Sequence, residues 1–122
     1  FYDVKEASRA NKPNIIVVAS ALQYIENYPK TISEIIDLGA DFIFLDKTPM
    51  YDGDNDFISV QNIPKHVYGK KTSYPMHIFS ENKLIKFFKK NYFVFETGYS
   101  TRKIYKIYEN SFSFKWLILK KC

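Results

Sequence analysis

Three short stretches of this 122-residue chain carry side chains able to do chemistry. Ser20, Ala21, Leu22, Gln23 and Tyr24 follow directly on an unbroken apolar run, Ile15 to Ala19, and ligand-binding groups gather where strands end. The same residues also suit a plain helix start, with Ser20 as cap and Leu22 and Ile25 as core. Asp46, Thr48 and Pro49 close a second apolar run. A carboxylate there can orient a substrate hydroxyl, act as a base where its pKa is raised, or make an Asp turn before the proline. Tyr74, His77 and Ser80 bring aromatic, imidazole and hydroxyl groups, which suit a sugar-like or small polar acceptor, although an isolated histidine is more often structural. The candidate catalytic residues are therefore Asp46 and His77, with Thr48, Tyr74 and Ser80 as candidate substrate contacts.

Other chemistries find little support. Asp52, Asp54 and Asp56 alternate as in a calcium loop, but Phe57 stands where the loop needs glycine and Ile63 where it needs a bidentate glutamate. His66 and His77 with Asp46 have the composition of a two-histidine, one-carboxylate site without its short spacings, so no metal is expected. There is no serine in a GxSxG turn, and Cys122 is the single cysteine, which leaves covalent catalysis without a nucleophile and excludes an intrachain disulfide.

The elements that must position these residues follow from apolar periodicity. Ile15 to Ala19 is continuous and β-branched, the pattern of a strand covered on both faces in a parallel sheet. Thr31 or Ser33 can cap a helix holding Ile32, Ile35, Ile36 and Leu38, with Gly39 as its stop. Asp41 to Asp46 is a second buried strand, so the three elements form a βαβ unit. Val4 and Ala7 to Ala10 suggest a short helix before it. Residues 47–78, broken by Pro49, Gly53, Pro64, Gly69 and Pro75, read as one long irregular segment. An amphipathic helix then carries Leu84, Ile85, Phe87 and Phe88 on one side and Lys83, Lys86, Lys89 and Lys90 largely on the other. Tyr92 to Tyr99 and Phe114 to Leu119 read as an antiparallel strand pair at a sheet edge, with a turn of helix around Ile104, Ile107 and Tyr108 between them.

Composition bounds these readings. A chain that is 46% hydrophobic, with eleven Phe and ten Tyr, has enough apolar surface to fold, which argues against disorder. It has no apolar run of the twenty or so residues needed to span a membrane and no cleavable leader, so a cytoplasmic protein is expected. Charge is uneven: residues 1–62 hold five Lys/Arg and ten Asp/Glu, residues 63–122 thirteen and three. A solvated basic face explains this as well as an anionic partner does, and nucleic acid is not the expected partner.

The stretch PNIIVVASALQYIENYPKTISEIIDLGADFIFLDKTPMYDG, followed by VQNIP and SYPMHIFSENKL, resembles a family of S-adenosylmethionine-dependent methyltransferases from bacterial surface-polysaccharide gene neighbourhoods. The resemblance runs from about Phe1 to Leu119. It implies an α/β fold: a partial Rossmann-like class I methyltransferase sheet, with the two parallel strands as strands four and five and the terminal pair as six and seven. It places Ser20, Ala21, Gln23 and Tyr24 near S-adenosylmethionine and implies a small or saccharide-like acceptor. Such enzymes also need a glycine-rich turn for the cofactor, yet the four glycines here, at 39, 53, 69 and 98, are too scattered to make one. The expectation is one domain, the carboxyl-terminal half, whose glycine-rich half lies upstream of Phe1. The exposed sheet edge would then be met by that missing half or by self-association. A non-catalytic binding or assembly module with a basic surface, and an inactive truncated fragment, are the alternatives.

Overall fold

The computed structural model describes residues 13–63, 72–107 and 109–122. The expected short helix around Val4 and Ala7 to Ala10 lies outside them. Among the described residues the chain is α/β, a seven-stranded mixed sheet with two α-helices: β1 Ile15–Ala19, a 3-10 turn Leu22–Tyr24, α1 Tyr28–Asp37, β2 Phe42–Tyr51, β3 Phe57–Ile63, β4 Thr72–Ser80, α2 Glu81–Phe88, β5 Tyr92–Tyr99, β6 Tyr105–Ile107 and β7 Asn110–Lys121.

β2 is the axis of the sheet. On one edge it pairs antiparallel with β7, which pairs antiparallel with β5. On the other edge its first half pairs parallel with β1, Ile15 opposite Phe42 through Ala19 opposite Asp46, and Met50 and Tyr51 pair parallel with β4. β3 closes against β4 and β6 against β7, both antiparallel. The expected βαβ unit and the antiparallel terminal pair are both present. β7, however, lies between β2 and β5, so that β5 alone of the pair is at the edge.

α1 starts at Tyr28, earlier than Thr31 or Ser33 suggested. Pro29 falls in its first turn, where a fixed φ suits a helix and no N–H is needed. Gly39, at φ 69°, ends the run in the left-handed region. Ile32 and Ile35 of α1 and Leu84 and Phe88 of α2 join Ile43, Leu45, Leu117 and Leu119 in one core, so both helices cover the same face of the sheet. A second, smaller core gathers Met76, Ile78 and Phe112 with Tyr51, Phe57, Tyr105 and Phe114.

Three expectations need correction. The segment 47–78 is not one irregular stretch: β2 runs on to Tyr51, and β3 and β4 occupy much of the rest. Pro49 and Pro75 fall where a strand can spare a donor. Pro49 occupies the interval of β2 between its pairing with β1, whose last partner is Asp46, and its pairing with β4, whose first partner is Met50. Pro75 lies in the part of β4 paired only with β3. Ile104 to Ile107 form no helical turn; Tyr105–Ile107 are β6, whose Tyr105 ring stacks on Phe112 at 5.2 Å, while Tyr108 lies outside the described residues. Finally, β1 is covered on one face only: Ile15 is 59% and Val17 61% exposed. They share an open face with Phe42 and Phe44, whose rings meet Phe95 and Trp116 edge-on at 6.3 and 6.2 Å.

Among the described residues no helix is long and apolar enough to cross a membrane.

Candidate functional site

The ends of β1 and β5 meet the middle of β2 in one polar network. β1 stops because Ser20 turns into the left-handed region at φ 50°, and its neighbour across the pair, Lys47, does the same at φ 49°. Such backbone costs an L-residue about 1–2 kcal/mol, and the surroundings must hold it in place. At Lys47 β2 carries a bulge: Leu45 opposes Leu117 but Thr48 opposes Lys115, one extra residue on β2. Bulges commonly re-aim side chains beside sites. Here it keeps Thr48 and Met50 on the buried side and turns Lys47 outward.

Hydrogen bonds stitch the two kinked positions together. Ser20 N donates to Asp46 O at 3.0 Å. Lys47 N donates to Asp46 Oδ1 at 2.9 Å and stands 3.1 Å from Ser100 Oγ, which itself donates to Asp46 Oδ1 at 2.9 Å. The Asp46 carboxylate therefore takes two bonds on one oxygen, and its Oδ2 has no donor among the described residues. Gln23, entirely buried in the 3-10 turn after β1, donates from Nε2 to Ser20 Oγ at 3.3 Å and to Lys47 O at 3.4 Å. Its Oε1 is buried with no hydrogen-bond partner among the described residues. A buried acceptor left alone costs roughly 1–3 kcal/mol, so this atom needs a reason.

Of the residues singled out in the sequence, Ser20, Gln23 and Asp46 belong to this network. Thr48 is buried beside it and donates from Oγ1 to Asp46 O at 3.1 Å. Ala21 is the exposed residue that enters the 3-10 turn. Tyr24 and His77 lie together elsewhere, in a cleft of about 320 Å³ between that turn and the β3–β4 hairpin, with Gln23 also lining it. His77 stacks on Phe79 at 6.0 Å and meets Tyr28 edge-on at 5.2 Å. Tyr74 is in β4 opposite Gln61.

Ser80 is fully buried at the junction of β4 and α2. Its Oγ donates to Gly53 O at 2.6 Å and accepts from Lys83 N at 3.3 Å as the cap of α2. Asp56 completes that junction: it accepts from Ser80 N at 2.8 Å and from the Tyr28 hydroxyl, and pairs with Lys83 at 3.4 Å. Burial, and then the hydrogen bond and charge of Asp56, raise the Tyr28 phenol well above its ordinary value. The carboxylate that closes the aspartate-rich stretch is thus tied into the fold. Among the described residues no group of three or more His, Cys, Asp or Glu side chains could hold a metal ion, and His66 lies outside those residues.

Two participants were missed by sequence reasoning. Ser100 sits in GYSTRK, which matches no motif, and only the return of β5 to β2 through β7 brings it to Asp46. Glu26, which lines the cleft with Tyr24 and His77, reads in sequence as an ordinary surface acid. No protein-family model matches this chain, and no curated protein matches it in sequence.

Proposed function

We propose that this chain is the carboxyl-terminal portion of an S-adenosylmethionine-dependent methyltransferase of the class I type, acting on a small or saccharide-like acceptor. The observation that carries the reading is the run β1-β2-β7-β5, in which β1, β2 and β5 point one way and β7 alone runs against them, with Ser20, Gln23, Asp46 and Ser100 gathered where β1 and β5 end beside the bulge of β2. Ligands of open α/β sheets sit beyond the carboxyl ends of the strands. Both helices on one face agree with it, and so do the open face of Ile15, Val17, Phe42 and Phe44 and the outer edge of β1, unpaired among the described residues, which further strands and helices would cover.

The residues present fit one wall of a cofactor site. Gln23 Oε1 is a buried acceptor without a partner, and Ser20 and Ala21 are exposed at the strand end. S-adenosylmethionine, when bound, supplies an electrophilic methyl carbon on a sulfonium. The chain's own task is then alignment, since in-line methyl transfer needs little beyond orientation and a place for the acceptor's proton. Asp46 Oδ2 can take the hydrogen of an acceptor hydroxyl or amine while Ser100 and Lys47 N hold the carboxylate in place. Titrating S-adenosylmethionine calorimetrically into the full-length protein tests the reading; saturable heat supports it, and none at millimolar ligand ends it.

A second reading, a non-catalytic module with a basic surface, is favoured by one feature, the groove of about 820 Å³ between α2 and β5 where Lys83, Lys86 and Lys89 stand beside Phe93. A salt-sensitive shift with anionic vesicles or nucleic acid supports that reading.

A further inference from the structure

The cleft between the 3-10 turn and the β3–β4 hairpin is lined by Gln23, Tyr24, Glu26, Ile58, Pro75 and His77. Three of its side chains, Gln23, Glu26 and His77, can each present a hydrogen-bond acceptor. The Gln23 amide is oriented by its Nε2 bonds to Ser20 Oγ and Lys47 O, which leaves the acceptor Oε1 as the end without a partner. Glu26 is exposed and forms no ion pair among the described residues. The His77 ring is held by Tyr28 and Phe79 and has no hydrogen-bond partner there, so in its neutral form one nitrogen can accept. Among the described residues no lysine or arginine lines the cleft. Ile58 and Pro75 contribute apolar surface.

We propose that this cleft binds the protonated amino group of a small alkyl amine. An ammonium is three donors with a positive charge and no acceptor, the complement of an amide oxygen, a carboxylate and an imidazole nitrogen. A neutral hydroxyl could satisfy Gln23 Oε1 but would leave the Glu26 charge unanswered, and an anion would meet Glu26 with like charge. The volume, about 320 Å³, admits a ligand of a few carbons, whose chain Ile58 and Pro75 can cover. The site is tested without S-adenosylmethionine, and Glu26 has no part in the proposed methyl transfer, so loss of amine binding in Glu26→Gln and absence of cofactor binding are separate outcomes, while Gln23 Oε1 is common to both readings.

The experiment is a two-dimensional amide NMR titration of the chain at pH 7.5 with n-butylamine, protonated at that pH, against butan-1-ol as the neutral isostere. Binding in the millimolar range is expected to move the Gln23 side-chain amide and the backbone signals of Tyr24, Glu26 and His77, with butan-1-ol weaker by about tenfold or more. Glu26→Gln changes an exposed residue and leaves the spectrum folded; it should weaken n-butylamine binding about tenfold and leave butan-1-ol unchanged. Gln23→Leu should weaken both. Equal responses to amine and alcohol, unchanged amine binding by Glu26→Gln, or no shifts up to about 100 mM overturns the proposal.

Discussion

Replacing Gln23 by leucine asks whether the lone acceptor serves a ligand or the fold. In the free protein Oε1 is buried without a partner, at a cost of roughly 1–3 kcal/mol. Leucine of similar volume removes that cost but also the two Nε2 bonds, which at 3.3 and 3.4 Å are long and worth about 0.5 kcal/mol each. The remainder favours the variant by about 1 kcal/mol, or about 4 °C in Tm for a domain of this size. Guanidinium unfolding with an unchanged m-value, together with calorimetry, measures it. A residue kept for function at the expense of stability gives this sign. A loss of 1 kcal/mol or more in Gln23→Leu would show that the amide holds Ser20 and Lys47 in place, and the reasoning about the lone acceptor would fail.

Other outcomes follow from single contacts. Lys47→Gly removes the left-handed penalty at φ 49° and should stabilise by about 0.5–1 kcal/mol after glycine's own entropy cost, whereas Lys47→Val should destabilise by more than that; thermal melts of both decide it. Gly98→Ala would place a Cβ 2.6 Å from the Trp116 ring and should cost about 1–3 kcal/mol with a change in indole fluorescence. Tyr28→Phe takes a donor from Asp56 and should cost about 1–2 kcal/mol near neutral pH. The Tyr28 phenol is raised in the fold, so above about pH 10 the folded chain binds more protons than the unfolded one and stability falls as pH rises. That fall should be shallower in Tyr28→Phe, with part remaining because burial and Asp41 also raise Tyr92. Urea denaturation from pH 8 to 11 reads the difference.

The parts of the fold legible in the sequence were those with local causes. Ile15 to Ala19 and Phe42 to Asp46 announced themselves by unbroken apolar runs, and Leu84 to Phe88 by their spacing against the lysines. The hairpin of β3 and β4 was hidden because Pro75 and the glycines of residues 47–78 carry the signature of loops, and only the pairing pattern shows that Pro75 lies where one side of β4 has no neighbour. β6 was hidden for a different reason: Ile104 and Ile107 are three apart, a helical interval, and tertiary stacking of Tyr105 on Phe112 overrides it. In the site, Ser20, Gln23 and Asp46 could be found because they follow buried strands. Ser100 could not, since its partner Asp46 is 54 positions away and no local pattern encodes that meeting.

The change of neighbour along β2 divides labour within the molecule. Ahead of the Lys47 bulge the strand serves the larger core with β1 and both helices; beyond it, Met50 and Tyr51 pair with β4, Met50 still in the larger core and Tyr51 against the smaller one. Gln23 rides on the first body, through Leu22, whereas His77, Ile58 and Pro75 ride on the hairpin of the second. The spacing between the two walls of the cleft is therefore governed by a strand crossing that neither wall contains, and a substitution at the crossing can widen or narrow the gap without touching any residue that lines it.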